Sequence, residues 1–174
     1  QIGMVFQNPS SYMNPILKVS TQFIESIRSH KNVTVEEARK TAVSCLKKVA
    51  LKNPEKIMEG YLHELSGGMQ QRVYIAMVMA NAPKLLLADE PTSALDVVVG
   101  RAIADELLSL KRTMDTSMLI VTHDIALAAY LSDRILVMKD GLIVESGYTD
   151  VVIKNPQHQY TRELLSTVRC LERG

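Results

Sequence analysis

The sequence predicts an α/β protein with a parallel sheet as its core and a helical subdomain inserted into that sheet. Three observations carry the prediction. Short, almost uninterrupted apolar runs alternate with helical patterns after Pro83, which is typical of parallel strands. The block from about 16 to 82 has mostly helical periodicity. The chain has 174 residues, of which 47% are hydrophobic, as expected for one packed domain with a small insertion.

The first half of the chain contains one predicted strand and a series of helices. IGMVF at 2–6 is predicted as a buried strand, and QNPSSYMNP at 7–15 as a loop because it holds two Asn-Pro pairs. Thr34 and Glu37 have the spacing of a capping box, which opens a helix. One face of this helix is apolar and consists of Ala42, Cys45, Leu46 and Val49. Residues 51–65 are predicted as a polar connection.

Strands and helices alternate in the second half. SGGMQQR opens a helix that is expected to end near Pro83. Asp140-Gly141 predicts a hairpin between the last two strands. The predicted strands are 85–89, 117–122, 134–139 and 142–146, and the predicted helices are about 97–113 and 124–132, with two helical pieces at the end. Motifs and pattern together predict four segments. They are a core strand at 1–8, the helical subdomain at 9–82, the α/β core at 83–150 and a helical extension at 151–174.

Composition argues against several classes of protein. Lys and Arg (20) nearly balance Asp and Glu (19), so no basic excess indicates a nucleic-acid partner. No apolar run approaches the roughly 18–20 residues that span a bilayer. Cys45 and Cys170 are far apart and are predicted as free thiols in a reducing compartment. His30, His63 and His158 have no metal-ligand spacing and are predicted as surface or structural residues.

Three polar clusters follow predicted strands. Gln7 follows the first strand, Asp89 and Glu90 end the LLLAD strand, and His123 follows SMLIVT. Ligands of open α/β sheets bind at the carboxyl ends of strands, so neighbouring parallel strands would bring these clusters to one rim. Such a set suits a polyphosphate with Mg²⁺ and an attacking water. Asp89 would hold the metal through its water shell, and Glu90 would accept the proton of the water.

LSGGMQQR at 65–72 predicts an anion site. Gly67 and Gly68 at a helix start expose backbone N–H groups, which act together with the helix dipole and the Ser66 hydroxyl. A bulky or acidic residue at either glycine would spoil the site. Taken alone, this pattern is more often a flexible turn, and Asp89-Glu90 alone is more often a strand-end turn or a cap. Because these patterns occur together and in order along the chain, a functional site is favoured over a simple turn or cap.

These motifs resemble those of ABC-transporter ATPases. LSGGMQQR resembles the signature motif, LLLADEP the Walker B strand with its catalytic Glu, TSALD the D-loop, IVTHD the H-loop and GMVFQNP the Q-loop. All five occur in family order over residues 3–124. FQNPSSYMNP, ADEPTSALDV and NPQHQYTRELL are similar to the oligopeptide, dipeptide and nickel branch of bacterial importers. The resemblance covers essentially the whole chain and implies a partial P-loop NTPase-like core.

The resemblance also implies roles for single residues, with ATP and Mg²⁺ as cofactors. Glu90 would be the general base, Asp89 the magnesium-side carboxylate and His123 the switch residue on the γ-phosphate. Gln7 would contact Mg²⁺ and the water. The residues implied to contact ATP of the opposite subunit or to cross the dimer interface are Ser66, Gly67, Gly68, Gln70 and Asp96.

The implied partners are a second ABC ATPase subunit and two transmembrane permease subunits at the cytoplasmic face of the cell membrane. A substrate-binding protein outside the membrane would take part indirectly, and no nucleic acid is implied. Tyr12, Met13 and Asn14 follow the Q-loop and are candidates for docking the permease. An ordinary exposed loop is an equally good interpretation of any one of them.

The sequence contains no Gly-Lys pair and therefore no G-x-x-x-x-G-K-[S/T] loop. We expect a fragment that binds Mg-ATP poorly by itself and that exposes apolar sheet surface. Two alternatives stay open: a non-transport ABC ATPase of DNA repair or translation, and a non-catalytic module that pairs with an intact ATPase. Gly100 stands in a predicted helix interior, where glycine is unfavourable, without a functional reason.

Overall fold

The computed structural model describes residues 2–93 and 95–171, with side chains for all of these except Ser10 and residues 167–171. The chain divides into two compact units, residues 1–121 and residues 122–174. The four segments expected from the motifs, with boundaries at 8, 82 and 150, stay a prediction. Among the described residues, no helix is both long and apolar enough to cross a bilayer.

The first unit contains a three-stranded parallel sheet. Its elements are β1 (Ile2–Val5), α1 (Val19–Arg28), α2 (Val35–Lys48), α3 (Pro54–Glu59), α4 (Gly67–Met79), β2 (Leu85–Asp89), α5 (Val97–Met114) and β3 (Ser117–Val121), with 3₁₀ turns at Pro9–Ser11 and Leu62–Glu64. The sheet order is β1-β2-β3. Val5 pairs with Ala88, and Asp89 pairs with Val121, so all three strands end at the same edge. The predicted parallel sheet is confirmed.

Helices α1 to α4 lie between β1 and β2, as the predicted inserted block requires. The capping box of α2 is confirmed: Thr34 Oγ1 accepts from Glu37 N–H at 3.2 Å, and Glu37 Oε2 accepts from Thr34 N–H at 2.8 Å. The predicted apolar face of α2 is buried, and Cys45 on it is a free thiol whose pKa is raised by burial. The side chain of Cys170 lies outside the described residues.

The segment 51–65 differs from its prediction as a polar connection. It contains α3 and a 3₁₀ turn, and its apolar residues Ile57, Met58 and Leu62 are buried. Pro54 stands in the first turn of α3, where its missing N–H has no helical partner to lose. The prediction was wrong because a helix of six residues is too short to show periodicity.

Helix α4 packs closely against the sheet. It is apolar on nearly all sides, which is typical of a buried helix. A Cβ atom on Gly3 of β1 would lie 2.6 Å from Val78 Cγ1, so a larger residue would force the strand or Val78 to shift. The C-terminal part of α4 is therefore held against β1.

The two faces of the parallel sheet differ in exposure. Val5, Leu86 and Ala88 point to the buried face. The opposite face carries apolar side chains that are 40% to 69% exposed, namely Ile2, Met4, Leu119 and Val121. The expected exposure of apolar sheet surface is thus confirmed for these four residues, and its effect on solubility stays a prediction.

The second unit is built around a hairpin. Its elements are α6 (Ile125–Leu131), β4 (Arg134–Lys139), β5 (Leu142–Tyr148), α7 (Thr149–Lys154) and α8 (Gln159–Leu171). β4 and β5 form a two-stranded antiparallel sheet of their own, which confirms the hairpin predicted at Asp140-Gly141. Ile135, Val137 and Val152 form the core of this unit.

His158 has a structural role in the second unit, as expected. Its backbone N–H donates to Glu145 Oε2 at 3.0 Å, and its Nδ1 accepts from Tyr160 N–H at 3.1 Å. Glu145 also accepts from Gln157 N–H at 2.8 Å. These bonds provide partners for backbone N–H groups just before and within the first turn of α8, which the helix itself leaves without acceptors.

Candidate functional site

Three polar residues lie at one edge of the parallel sheet, where the strands end: Gln7, Asp89 and Glu90. Asp89 is the last residue of β2, Glu90 follows it directly, and Gln7 lies two residues after the end of neighbouring β1. Gln7 and Asp89 are exposed. Carboxylate and amide oxygens are suitable ligands for Mg²⁺, which keeps several water molecules in its shell. Within the described residues, no group of three or more His, Cys, Asp or Glu side chains is placed to hold a metal by itself.

The backbone of Glu90 is held in an unusual conformation. Its φ is +47°, in the left-handed region that non-glycine residues rarely adopt. Its N–H donates to Val121 O of β3 at 2.9 Å, and its carbonyl accepts from Ser93 Oγ at 3.1 Å. The structure describes five other non-glycine residues with positive φ, so this conformation defines how the chain turns after β2 and does not by itself mark a functional residue. The part of Ser93 in holding Glu90 was not visible in the sequence.

His123 follows the same sheet edge along the chain. It lies two residues after the end of β3, belongs to the second unit and is exposed. The next residue, Asp124, caps α6 by accepting from Ala126 N–H at 2.8 Å and Leu127 N–H at 3.1 Å. This cap defines where the chain turns into α6. The catalytic part of His123 stays a prediction.

The predicted glycine-led helix start is present at α4. Ser66 is the N-cap, and its Oγ accepts from Met69 N–H at 3.4 Å. The Ser66 hydroxyl proton can still be donated to a ligand. Gly67 and Gly68 occupy the first two helical positions, whose N–H groups have no acceptor within the helix. A Cβ atom on Gly68 would collide with Val99 Cγ1 of α5, which adds a steric reason for glycine at this position.

Gln70 and Asp96 have structural roles that the sequence did not reveal. Gln70 Nε2 donates to Leu62 O at 3.1 Å and to Leu65 O at 3.0 Å, which fixes the turn before α4. Asp96 Oδ1 accepts from Val99 N–H at 2.9 Å and caps α5. Their contacts with nucleotide and across a dimer interface stay predictions.

An ion pair joins α4 to α5, further along each helix than the helix starts described above. Arg72 Nε lies 3.1 Å from Glu106 Oε1, and the side chains are 21% and 11% exposed, but the two groups are not aligned as a hydrogen bond. Burial raises the pKa of Glu106 to about 7; Arg72 opposes this shift, and Asp105 adds to it. The sequence offered one signal for Glu106: it falls between Ile103 and Leu110, three and four residues away on the buried side of α5.

The three candidates for permease docking differ in exposure. Met13 is only 3% exposed, so it cannot form part of an open docking surface, and that expectation is wrong. The backbone N–H of Met13 donates to Pro9 O at 3.1 Å, directly after the 3₁₀ turn at Pro9–Ser11. Tyr12 and Asn14 are exposed, and their docking role stays a prediction.

The chain is similar to known proteins both in sequence and in fold. The chain is 44% identical over 172 residues to the oligopeptide transport ATP-binding protein OppD of Bacillus subtilis, covering 99% of this chain and 48% of that protein. It is 41% identical over 167 residues to the dipeptide transport ATP-binding protein DppD of Haemophilus influenzae, covering 96% and 51%. The chain therefore spans about half the length of these relatives.

The solved structure of cbiO1 from Clostridium perfringens, part of the ABC transporter complex cbiONQ, superimposes with a TM-score of 0.79 at 28% identity. This match covers 99% of our chain and 67% of cbiO1. The family model for ABC transporters matches residues 1–93, which is more than half of the 174 residues. The expected P-loop NTPase-like fold is confirmed, and the chain belongs to the ABC transporter family.

Proposed function

We propose that the chain is part of an ATP-hydrolysing subunit that powers an ABC importer of oligopeptides or dipeptides, with nickel or metal chelates as further cargo classes. The observation that carries this proposal is the placement of Gln7, Asp89 and Glu90 at one carboxyl edge of the parallel sheet. The similarity to the oligopeptide and dipeptide transport proteins OppD and DppD supports peptides as the cargo class. In this proposal the subunit acts at the cytoplasmic face of the membrane, with two permease subunits and a second ATPase subunit.

Each residue of the edge has a chemical task in this proposal. Asp89 and Gln7 would hold Mg²⁺, partly through water, and Mg-ATP would supply the phosphoryl group that is transferred to water. Glu90 accepts the proton of the attacking water, and its backbone is held at the sheet edge by Val121 O and Ser93 Oγ. His123 is added to these residues only because it lies in the IVTHD motif.

The start of α4 has a separate task. Ser66, Gly67 and Gly68 present a hydroxyl and backbone N–H groups to the γ-phosphate of ATP held by the opposite subunit. Gln70 holds this start in place, and Asp96 approaches the partner subunit. Two such subunits would close over two nucleotides and open after hydrolysis.

The test of this function uses the complete subunit that carries this chain, because the 174 residues contain no G-x-x-x-x-G-K-[S/T] loop. In the assembled importer, Glu90→Gln removes the proton acceptor at constant size, and hydrolysis should fall by about 100-fold or more. The control Glu36→Gln changes an exposed carboxylate of α2 and should leave hydrolysis unchanged. Hydrolysis by the Glu90→Gln variant at the unmodified rate would refute the proposal.

A second candidate function is a non-catalytic module that pairs with an intact ATPase. Such a module would pair with that ATPase through the glycine-led start of α4, where Ser66 is the cap and the first N–H groups have no acceptor within the helix. The isolated 174-residue chain should then bind Mg-ATP weakly and show activity only in a mixture with an intact cassette. Micromolar ATP affinity of the isolated chain by calorimetry would contradict this candidate.

A further inference from the structure

A buried side-chain amide connects α4 to the segment that carries Gln7. Gln71 is 2% exposed, although it stands among apolar residues of α4. Its Nε2 donates to Phe6 O at 3.4 Å, across 65 residues of sequence. A buried amide is unfavourable unless it is hydrogen-bonded, so an apolar residue would be expected here for packing alone. Phe6 is the residue directly before Gln7.

A stack of aromatic rings makes the same connection a second time. The rings of Phe6 and Tyr12 are 3.9 Å apart between centroids and inclined by 10°. The ring of Tyr12 continues to Tyr74, at 6.4 Å and 18°. Tyr74 lies three residues after Gln71, on the same side of α4. One face of α4 therefore contacts Phe6 in two ways: Gln71 binds its backbone carbonyl, and Tyr74 contacts its ring through the ring of Tyr12.

The position of these contacts along α4 allows them to affect catalysis. The helix begins at Gly67, next to the proposed phosphate-binding groups, and its later part is held against β1 at Gly3 and Val78. Gln71 and Tyr74 lie between these two points. A change in the angle of α4 would thus be passed to Phe6 and to the adjacent Gln7. Tyr12 is 55% exposed, so a partner subunit can reach the central ring of the stack.

We propose that Gln71 and Tyr12 are positioning residues that set the placement of Gln7 and couple it to the helix carrying the LSGG motif. The inference rests on the proposed function, since it assigns Gln7 a role in hydrolysis. Neither residue contacts the reacting atoms. Loss of either contact should leave the Gln7 segment less ordered while the fold remains.

The first experiment needs no nucleotide. Hydrogen–deuterium exchange is measured on the complete subunit with Gln71→Leu and with Tyr12→Ala. The matched control is Asn81→Leu, because Asn81 Nδ2 also donates to a distant backbone carbonyl, Ser26 O, at the same 3.4 Å. We expect faster exchange at residues 6–12 in the first two variants and unchanged exchange there in the control. Unchanged exchange of this segment in both variants would overturn the proposal.

The second experiment measures hydrolysis by the assembled importer. We expect Gln71→Leu and Tyr12→Ala to lower kcat about tenfold or more, since misplacing a catalytic group by about 1 Å has effects of this size or larger. Tyr12→Phe keeps the stacked ring and should retain kcat, whereas a loss in Tyr12→Phe equal to that in Tyr12→Ala would overturn the stacking argument. Asn81→Leu should lower thermal stability and leave kcat unchanged.

The results separate this inference from the function on which it rests. If the unmodified importer does not hydrolyse ATP, the proposed function fails. If it does, and both variants keep their kcat, the positioning role fails alone. Should Gln71→Leu not fold, Tyr12→Ala changes a half-exposed ring and tests the same connection.

Discussion

Glu106 gives the sharpest prediction of stability. Glu106→Gln replaces a carboxylate that burial disfavours with a neutral group of nearly the same shape. Burial raises the pKa of Glu106 from its ordinary 4.5 to about 7, even though Arg72 lies 3.1 Å away. Between these values the folded chain binds a proton that the unfolded chain has released. This group therefore stabilises the fold most below pH 4.5, and its contribution is lost as the pH rises through about 7.

The size of the effect follows from the same two values. The two pKa values differ by about 2.5. Because each pKa unit corresponds to about 1.4 kcal/mol, the difference contributes about 3 kcal/mol to the free energy of unfolding. The neutral amide introduced by Glu106→Gln resembles the protonated carboxyl group of Glu106, so at about pH 5 the two proteins should have similar free energies of unfolding. At about pH 8 the variant should be the more stable one, by up to about 3 kcal/mol. Removing a partner from a buried ion pair usually has the opposite effect.

Urea unfolding of the chain and its variants, followed by circular dichroism at pH 5, 6, 7 and 8, measures this difference. The control is Glu36→Gln, whose ion pair with Lys40 on α2 is exposed and should contribute little at any pH. Parallel stability curves of the unmodified chain and Glu106→Gln would refute the reasoning. A variant that is less stable at pH 8 would show that attraction by Arg72 outweighs the burial of Glu106.

Three further substitutions test local packing and capping by the same unfolding measurement. Gly100→Ala should stabilise the chain by up to about 1 kcal/mol, because the added Cβ would meet Thr92 Cβ at an ordinary 3.5 Å; a loss of stability would show hidden crowding. Gly68→Ala should cost about 1–3 kcal/mol through its collision with Val99, and Val99→Ala in the same chain should restore part of this. Thr34→Ala should cost about 1 kcal/mol by removing the cap of α2, and an unchanged stability would contradict that role.

Most of the elements could be predicted because their signals are local. The capping pair Thr34 and Glu37 is three residues apart, and the hairpin at Asp140-Gly141 needs only the turn and its flanking strands. The segment 51–65 was missed because a helix of six residues has too few turns to show a period. Met13 was misjudged because its burial depends on what the rest of the fold packs around it, which no local pattern shows.

By itself the sequence determined the alternation of strands and helices, the order of the motifs and the polar residues that follow the strands. These features depend on neighbours within a few positions, where periodicity, caps and turns act. Only the tertiary structure decided which distant groups meet: Gln71 with Phe6, Arg72 with Glu106 and Glu90 with Val121. The physical reason is that burial, and with it the cost of an unpaired amide or charge, depends on what the rest of the fold brings to that point.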